Sequence, residues 1–214
     1  MHPAFSVIFF TTLSGAGYGL LVWTALAAML RQPSRPLLLS LLLALVLVTV
    51  GLLSSMAHLG KPQRAWRAFS QWRTSWLSRE GVASTLTYVP ALLLGMALLP
   101  GMIAGDANGA SAGLNAFGTI GAIALIACAL ATVWCTAMIY ASLRPIPAWR
   151  HWLVLPVYLL FALFCGGLLF AAIAGWLGVS VGNMAGVATM AAAIALAASK
   201  LRYWHDIDRT PLPA

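Results

Sequence analysis

The sequence predicts an all-α fold, a polytopic membrane helical bundle of six transmembrane helices in a single domain over residues 1–214. Three observations predict this class. Hydrophobic residues make up 62% of the chain and charged residues 7%, whereas a soluble domain carries about 25% charged residues. Most of the chain lies in five charge-free runs, and an apolar run of about 18 residues predicts a spanning helix. These observations exclude a soluble enzyme, a disordered chain, a coiled coil and a disulfide scaffold.

Six predicted spans follow from these runs. They are Phe5–Leu30, Pro36–His58, Gly81–Ile103, Asn115–Leu143, Trp152–Trp176 and Gly182–Leu201. The first exceeds the apolar core of a signal peptide, about 7–15 residues, so we expect it to remain as a helix. The last charge-free run, residues 151–199, is too long for one span, and glycines near Gly178 predict a turn within it. Small residues at four-residue spacing predict close helix crossings: Gly15 and Gly19, Gly118 and Ala122, and Gly182 and Gly186.

The net charge of +8 is distributed unevenly between the two sides of the predicted bundle. One side holds only Arg31 and Arg35 of the 12 Lys and Arg residues, and the other side holds the rest, in loop 60–80, loop 144–151 and the C-terminal tail. Basic residues so close to apolar runs indicate lipid headgroups rather than nucleic acid as partners. The positive-inside rule predicts that the more basic side faces the cytoplasm. A basic surface that docks a partner protein is the alternative explanation.

The sequence predicts no metal site and no haem in this chain. The three cysteines lie in apolar runs without zinc-type spacing and are interpreted as packing residues; they are Cys128, Cys135 and Cys165. An iron–sulfur cluster usually requires four cysteines. The four histidines lie at helix ends or in loops, where no two can ligate a haem between helices; they are His2, His58, His151 and His205.

Loop 60–80 and its flanks combine aromatic, basic and acidic residues in the stretches HLGKPQRAW and SWLSRE. Trp66, Phe69, Arg73 and Trp76 recur at helical spacing, which predicts a short helix lying in the membrane interface. A lipid anchor alone also explains this pattern.

His58 ends the second predicted helix and Glu80, the one glutamate of the chain, opens the third. A hairpin of these helices brings both residues to the same membrane face. Ionisable residues at membrane depth are costly and indicate a functional site. A structural role is the alternative, with Glu80 as a first-turn charge paired with Arg79 or Arg64 and His58 as an interfacial residue.

Together, His58 and Glu80 provide two proton acceptors, and Lys61 and Arg64 provide hydrogen-bond donors, at the rim of an apolar bundle. This combination suits a quinol, whose two hydroxyl groups each lose a proton as two electrons leave. Trp66 and Trp76 are placed to bracket the flat ring, while the isoprenoid tail remains in lipid. Since no cofactor motif is present, we expect the electrons to pass to a redox centre on another subunit.

These stretches resemble the membrane-anchor subunit family of dimethyl sulfoxide reductase, the DmsC-like family. Matching stretches are HLGKPQRAW, SWLSREG, HPAFSVIFFTTLSGAGYG, YASLRPIPAW and KLRYWHDID. The resemblance covers nearly the whole chain and implies a haem-free bundle, commonly of eight helices, that oxidises menaquinol or ubiquinol. It also implies an iron–sulfur subunit with 4Fe–4S clusters and a catalytic subunit with a molybdenum bis-molybdopterin guanine dinucleotide (Mo-bisMGD) cofactor. With the loop residues above, the predicted quinol-binding set is His58, Gly60, Lys61, Arg64, Ser75, Trp76 and Glu80, of which His58 and Glu80 are the predicted catalytic residues.

The sequence departs from this family in two respects. We predict six helices rather than eight, and whether two more belong to the protein is open. The family topology favours a periplasmic location for the face with His58, in the inner membrane of a bacterium, whereas the positive-inside rule favours the cytoplasm. Two other functions stay open: a small membrane transporter, which requires polar or broken helices near the midplane, and a structural anchor without a quinol site. The terminal electron acceptor depends on the catalytic subunit.

Overall fold

The computed structural model describes residues 5–56, 62–103, 113–143, 145–180 and 183–209. Over these ranges the chain forms six long α-helices and two 3₁₀ helices, and no strands. The α-helices are α1 Phe5–Met29, α2 Ser34–Met56, α3 Trp76–Ile103, α4 Ala116–Ala141, α5 Val154–Trp176 and α6 Asn183–Asp208, and the 3₁₀ helices are Pro62–Gln71 and Pro147–Arg150. All six α-helices are long and apolar enough to cross a membrane, α6 over Ala185–Asp208. The predicted six-helix, all-α membrane fold is confirmed.

Helix α1 lies at the centre of the bundle, because it packs against α2, α4 and α5. Helix α3 pairs with α4, and α6 packs on α5 at the edge, where little of its apolar surface is covered. The start of α1, the connections α2–α3 and α4–α5 and the end of α6 lie at the same end of the bundle. We call this end the basic side, since most of the lysines and arginines belong to it.

The backbones of α1 and α5 touch where the two helices cross. A Cβ atom at Gly19 would overlap the carbonyl oxygen of Ala162, and a Cβ atom at Gly166 would overlap the backbone of Gly19. Next to the crossing, Trp23 Nε1 donates a 2.8 Å hydrogen bond to the carbonyl oxygen of Leu163. Close packing and interhelical hydrogen bonds drive helix association in lipid, so this crossing fixes α1 against α5.

The predicted small-residue crossings are partly confirmed. Gly19 lies at the α1–α5 crossing, and Gly118 and Ala122 of α4 are buried. By contrast, no atom lies within 4 Å of a Cβ atom built at Gly15 or at Gly186. The first member of the third pair lies outside the described residues.

Helix α3 begins at Trp76, five residues before the predicted start at Gly81. The Ser75 hydroxyl accepts a 3.5 Å hydrogen bond from the backbone N–H of Ser78, and serine in this position caps a helix N-terminus. Glu80 therefore lies in the second turn of α3, and the prediction that it opens the helix is wrong.

Two further predicted boundaries are wrong. The residues with helical spacing in loop 60–80 do not share one helix, because the 3₁₀ helix ends at Gln71 and Trp76 already belongs to α3. Helix α6 continues to Asp208 rather than Leu201, and Arg202 Nε donates to Asp206 one turn later at 3.0 Å. Such pairs stabilise a helix that has left the apolar layer.

Candidate functional site

Glu80 is buried inside the bundle, with 4% of its surface exposed. Its carboxylate accepts a hydrogen bond from the hydroxyl group of Thr136 on α4. No lysine or arginine of the described residues forms an ion pair with it. The guanidinium of Arg79 donates instead to the carbonyl oxygens of Trp72 and Arg73, at 3.0 and 2.7 Å. The arrangement found is therefore not that of a helix-terminal charge paired with Arg79.

Glu80 belongs to a group of buried polar side chains that we call the polar cluster. Its members are Glu80, Ser84 and Thr87 of α3, Thr132 and Thr136 of α4, and Tyr18 of α1. None of these residues is more than 6% exposed. The members on α3 and α4 are three or four positions apart, so each set lies on one helix face. Sequence reasoning missed this cluster, although the hydroxyl residues follow Glu80 at helical spacing.

The hydroxyl group of Thr136 has one proton and two acceptors, the Glu80 carboxyl group and the carbonyl oxygen of Thr132 at 3.1 Å. When Glu80 is protonated, it can donate to Thr136 while Thr136 donates to the Thr132 carbonyl. When Glu80 is ionised, the Thr136 hydroxyl turns to donate to the carboxylate. A hydroxyl group rotates freely to suit its partners, so the pair accommodates both protonation states of Glu80.

The Tyr18 hydroxyl group is buried beside the hydroxyl groups of Ser84 and Thr132, which both interact with it. The neighbouring hydroxyls donate elsewhere, that of Ser84 to Gly81 O at 2.9 Å and that of Thr132 to Cys128 O at 2.8 Å. Both neighbouring hydroxyl groups keep acceptor lone pairs, so either can accept the Tyr18 proton.

A cavity of about 430 Å³ lies between α1 and α5, on the basic side of their crossing. We call it the α1–α5 cleft. Its wall includes Tyr18 and Thr136 from the polar cluster, Tyr158 of α5 and Lys200 of α6. Through Thr136, which borders the cleft and bonds Glu80, the cleft adjoins the buried carboxyl group.

Four predicted site residues lie outside what the structure describes: His58, Gly60 and Lys61, and the side chain of Arg64. The hairpin of α2 and α3 shows on which side of the bundle α2 ends. Thr49 Oγ1 of α2 lies 2.7 Å from the Tyr88 hydroxyl of α3. This contact fixes the relative position of the two helices along the axis of the bundle. The end of α2 at Met56, two residues before His58, thus lies on the same side of the bundle as Glu80.

The other predicted residues, Ser75 and Trp76, lie at the start of α3. Ser75 caps the helix, and the Arg79 guanidinium lies 4.3 Å from the ring centroid of Trp76. A ligand ring can therefore stack only on the other face of Trp76. Arg67 lies similarly over the exposed ring of Trp66, at 5.6 Å. Such pairs of aromatic rings and cations suit the headgroup region of a membrane.

A second group of titratable residues joins the α4–α5 connection to the end of α6. His151 Nε2 lies 3.2 Å from Asp206 Oδ2, which also accepts from Arg202. The Tyr203 hydroxyl donates to Ala148 O at 3.1 Å. Within the described ranges, no three His, Cys, Asp or Glu side chains converge as metal ligands do.

Comparison with known proteins identifies the family to which the chain belongs. The model for the family described as DMSO reductase anchor subunit (DmsC) matches residues 1–208. A sulfite dehydrogenase subunit from Allochromatium vinosum is 40% identical over 190 residues, which cover 83% of this chain and 57% of that protein. The chain thus spans a little over half the length of this relative. No solved structure gives a significant match.

Proposed function

The chain belongs to the DMSO reductase anchor subunit family, and we propose that it is the quinol-oxidising membrane subunit of a molybdenum oxidoreductase complex. Quinol from the bilayer, menaquinol or ubiquinol, loses two protons and two electrons and becomes quinone. The electrons pass to an iron–sulfur subunit with 4Fe–4S clusters and then to a molybdopterin catalytic subunit that reduces the terminal acceptor. The complex lies in the inner membrane of a bacterium, with the basic side towards the periplasm.

The burial of Glu80 against Thr136, beside the α1–α5 cleft, carries this proposal. A general base must lie within hydrogen-bond reach of the proton that it accepts, directly or through one bridging group such as a water molecule. Glu80 reaches the cleft through the Thr136 hydroxyl, and the pair accommodates both states of the carboxyl group. A buried carboxyl group that can gain and lose a proton beside a cavity suits quinol oxidation.

The other site residues have supporting roles in this proposal. His58 accepts the second proton, and Lys61 and Arg64 donate hydrogen bonds to the quinol oxygens. Ser75 positions the first turn of α3 by capping it. The residues of the site are then His58, Gly60, Lys61, Arg64, Ser75, Trp76 and Glu80.

Glu80→Gln and His58→Ala in the assembled complex test the proposal. We expect quinol-dependent turnover to fall about 100-fold or more, in the range that acid–base groups contribute, while turnover with an artificial electron donor to the soluble subunits is unchanged. Asp208→Asn, which changes an exposed acid at the end of α6, is the matched control. Normal quinol turnover of both site variants would favour a structural anchor and refute the proposal.

The name of the relative supports a second candidate, the same site working in the opposite direction. A sulfite dehydrogenase removes electrons from sulfite, so its membrane subunit would reduce quinone, and Glu80 would supply a proton rather than accept one. Incubation of the purified complex with sulfite and a soluble quinone, and separately with a soluble quinol and dimethyl sulfoxide, distinguishes the directions. Reduction of the quinone by sulfite alone favours this second candidate.

A further inference from the structure

We propose that a cavity on the basic side of the bundle, where α1, α5 and α6 meet the α4–α5 connection, binds the phosphate headgroup of an anionic glycerophospholipid. We call it the headgroup cavity, and its counter-charge is the ammonium group of Lys200. The lipid is a ligand and not a substrate, so this site is independent of the proposed function.

The headgroup cavity combines apolar walls with a polar end. Its volume is about 280 Å³, close to the lower limit of about 300 Å³ for common ligand sites. Val7 and Ile8 of α1 belong to its apolar wall. Ile8 is 45% exposed, so the cavity borders the lipid-facing surface of α1. A headgroup therefore fits inside, while the acyl chains remain in the bilayer along α1.

Three aromatic side chains with polar groups line the other wall of the headgroup cavity. The ring of Tyr140 packs edge-on against Trp149, at 5.2 Å between centroids, and stacks on Tyr158 at 5.7 Å. The Tyr203 hydroxyl donates to a backbone carbonyl, whereas those of Tyr140 and Tyr158 form no hydrogen bond within the described part of the chain. Phenolic O–H groups are hydrogen-bond donors, so this wall offers donors to phosphate oxygens.

Lys200 is the one charged residue in the wall of this cavity. Its ammonium group lies 5.0 Å from the ring centroid of Tyr203 and 4.7 Å from that of Trp204, which hold it in place. No acidic side chain of the described ranges forms an ion pair with it, since Asp206 pairs with Arg202 and with a histidine instead. Lysine binds phosphate as a point charge. An anion in the cavity would therefore neutralise a charge that these residues leave uncompensated.

The depth of Lys200 matches that of a lipid phosphate. Tryptophans are enriched at the boundary between lipid and water, and the exposed Trp152 and Trp204 mark this boundary on the basic side. Lys200 lies one helical turn, about 6 Å, deeper in the bundle than Trp204. A cation at the edge of the apolar layer is costly without an anionic partner, and basic pockets between spanning helices bind anionic headgroups.

A cavity between α5 and α6 provides the comparison. Its volume is about 430 Å³, and no lysine or arginine lines it. Its polar side chains are already occupied, since Trp23 donates to Leu163 O at 2.8 Å and Thr189 donates to Ala185 O at 2.9 Å. We expect acyl chains there, without preference for a charged headgroup. The cation and the free donors, rather than size, distinguish the headgroup cavity.

Lipid titration of the full chain in detergent, followed by native mass spectrometry, tests the site. Phosphatidylglycerol is compared with phosphatidylethanolamine of the same acyl chains, in about 0.15 M salt to screen exposed charges. We expect phosphatidylglycerol to bind about tenfold more tightly or better, and Lys200→Gln to remove this preference. Lys200→Arg is expected to keep it. The control is Arg209→Gln, which removes an exposed charge just beyond α6 and should change the affinity by less than about twofold.

Equal affinities of the wild type for the two lipids overturn the site, as does an unchanged preference in Lys200→Gln. An equal loss in Arg209→Gln indicates attraction to the surface alone and also overturns it. If Lys200→Gln does not fold, Tyr140→Phe decides: losing one donor should weaken phosphatidylglycerol binding about fivefold, and unchanged binding refutes the site. A large molar excess of inorganic phosphate is expected to leave the lipid bound. Displacement by phosphate identifies a free-phosphate site and refutes the lipid.

Discussion

Thr136→Val removes the one hydroxyl group that connects the cleft to Glu80 and keeps the shape of the side chain. Thr136 is 6% exposed, so bulk water does not replace the lost hydrogen bond. A hydrogen bond to a charged group contributes about 1.5–3 kcal/mol, which corresponds to about a 10- to 150-fold change in a rate or equilibrium constant. We therefore expect quinol-dependent turnover to fall by about 10- to 150-fold.

The assay is quinol-dependent turnover of the assembled complex in membranes, with an artificial electron donor as the reference for the soluble subunits. Thr136→Ser keeps the hydroxyl group and is expected to retain most of the turnover. Thr119→Val is the control on the same helix, because the Thr119 hydroxyl donates to the backbone of its own helix, at Asn115 O. Turnover of Thr136→Val within twofold of the wild type would refute the role of this hydroxyl group.

Two further predictions concern stability. Gly19→Ala places a methyl group on the carbonyl oxygen of Ala162 and should lower the free energy of unfolding by about 3 kcal/mol or more. Gly15→Ala, with open space at its Cβ inside the same helix, should instead raise it by about 0.5–1 kcal/mol. Thermal unfolding in detergent compares the two, and equal stabilities would contradict the crossing. Asn115→Ala removes the side chain that accepts a 2.8 Å hydrogen bond from Gly118 N at the start of α4. It should lower the free energy of unfolding by about 1 kcal/mol and speed amide exchange in the first turn of α4. An unchanged exchange rate would show that this cap does not stabilise the helix.

The six spans could be predicted from the sequence because hydropathy alone determines them. A bilayer requires long apolar segments, and the charge-free runs supply them directly. The helix ends could not be predicted in the same way. Arg79 bonds carbonyl oxygens of the preceding turn, and Arg202 pairs with Asp206, so both helices continue through charged residues that composition places in a loop.

Glu80 could be singled out from the sequence because a lone glutamate at the edge of an apolar run is costly to bury. Its surroundings could not, since they depend on which helices touch. Thr136 is 56 positions from Glu80 in the chain, and a serine or threonine in a spanning helix usually bonds its own backbone, as Thr132 does. Tyr18 lies near the middle of the first predicted span, and its burial depends on the packing of α1 against α4 and α5.

The glycine crossing of α1 and α5 limits how far these two helices can change in sequence. Main-chain atoms of Gly19, Ala162 and Gly166 meet at the crossing, so any side chain larger than a hydrogen atom at either glycine would separate the two helices. Homologues with the same bundle should accordingly keep glycine at both positions, whatever they bind elsewhere.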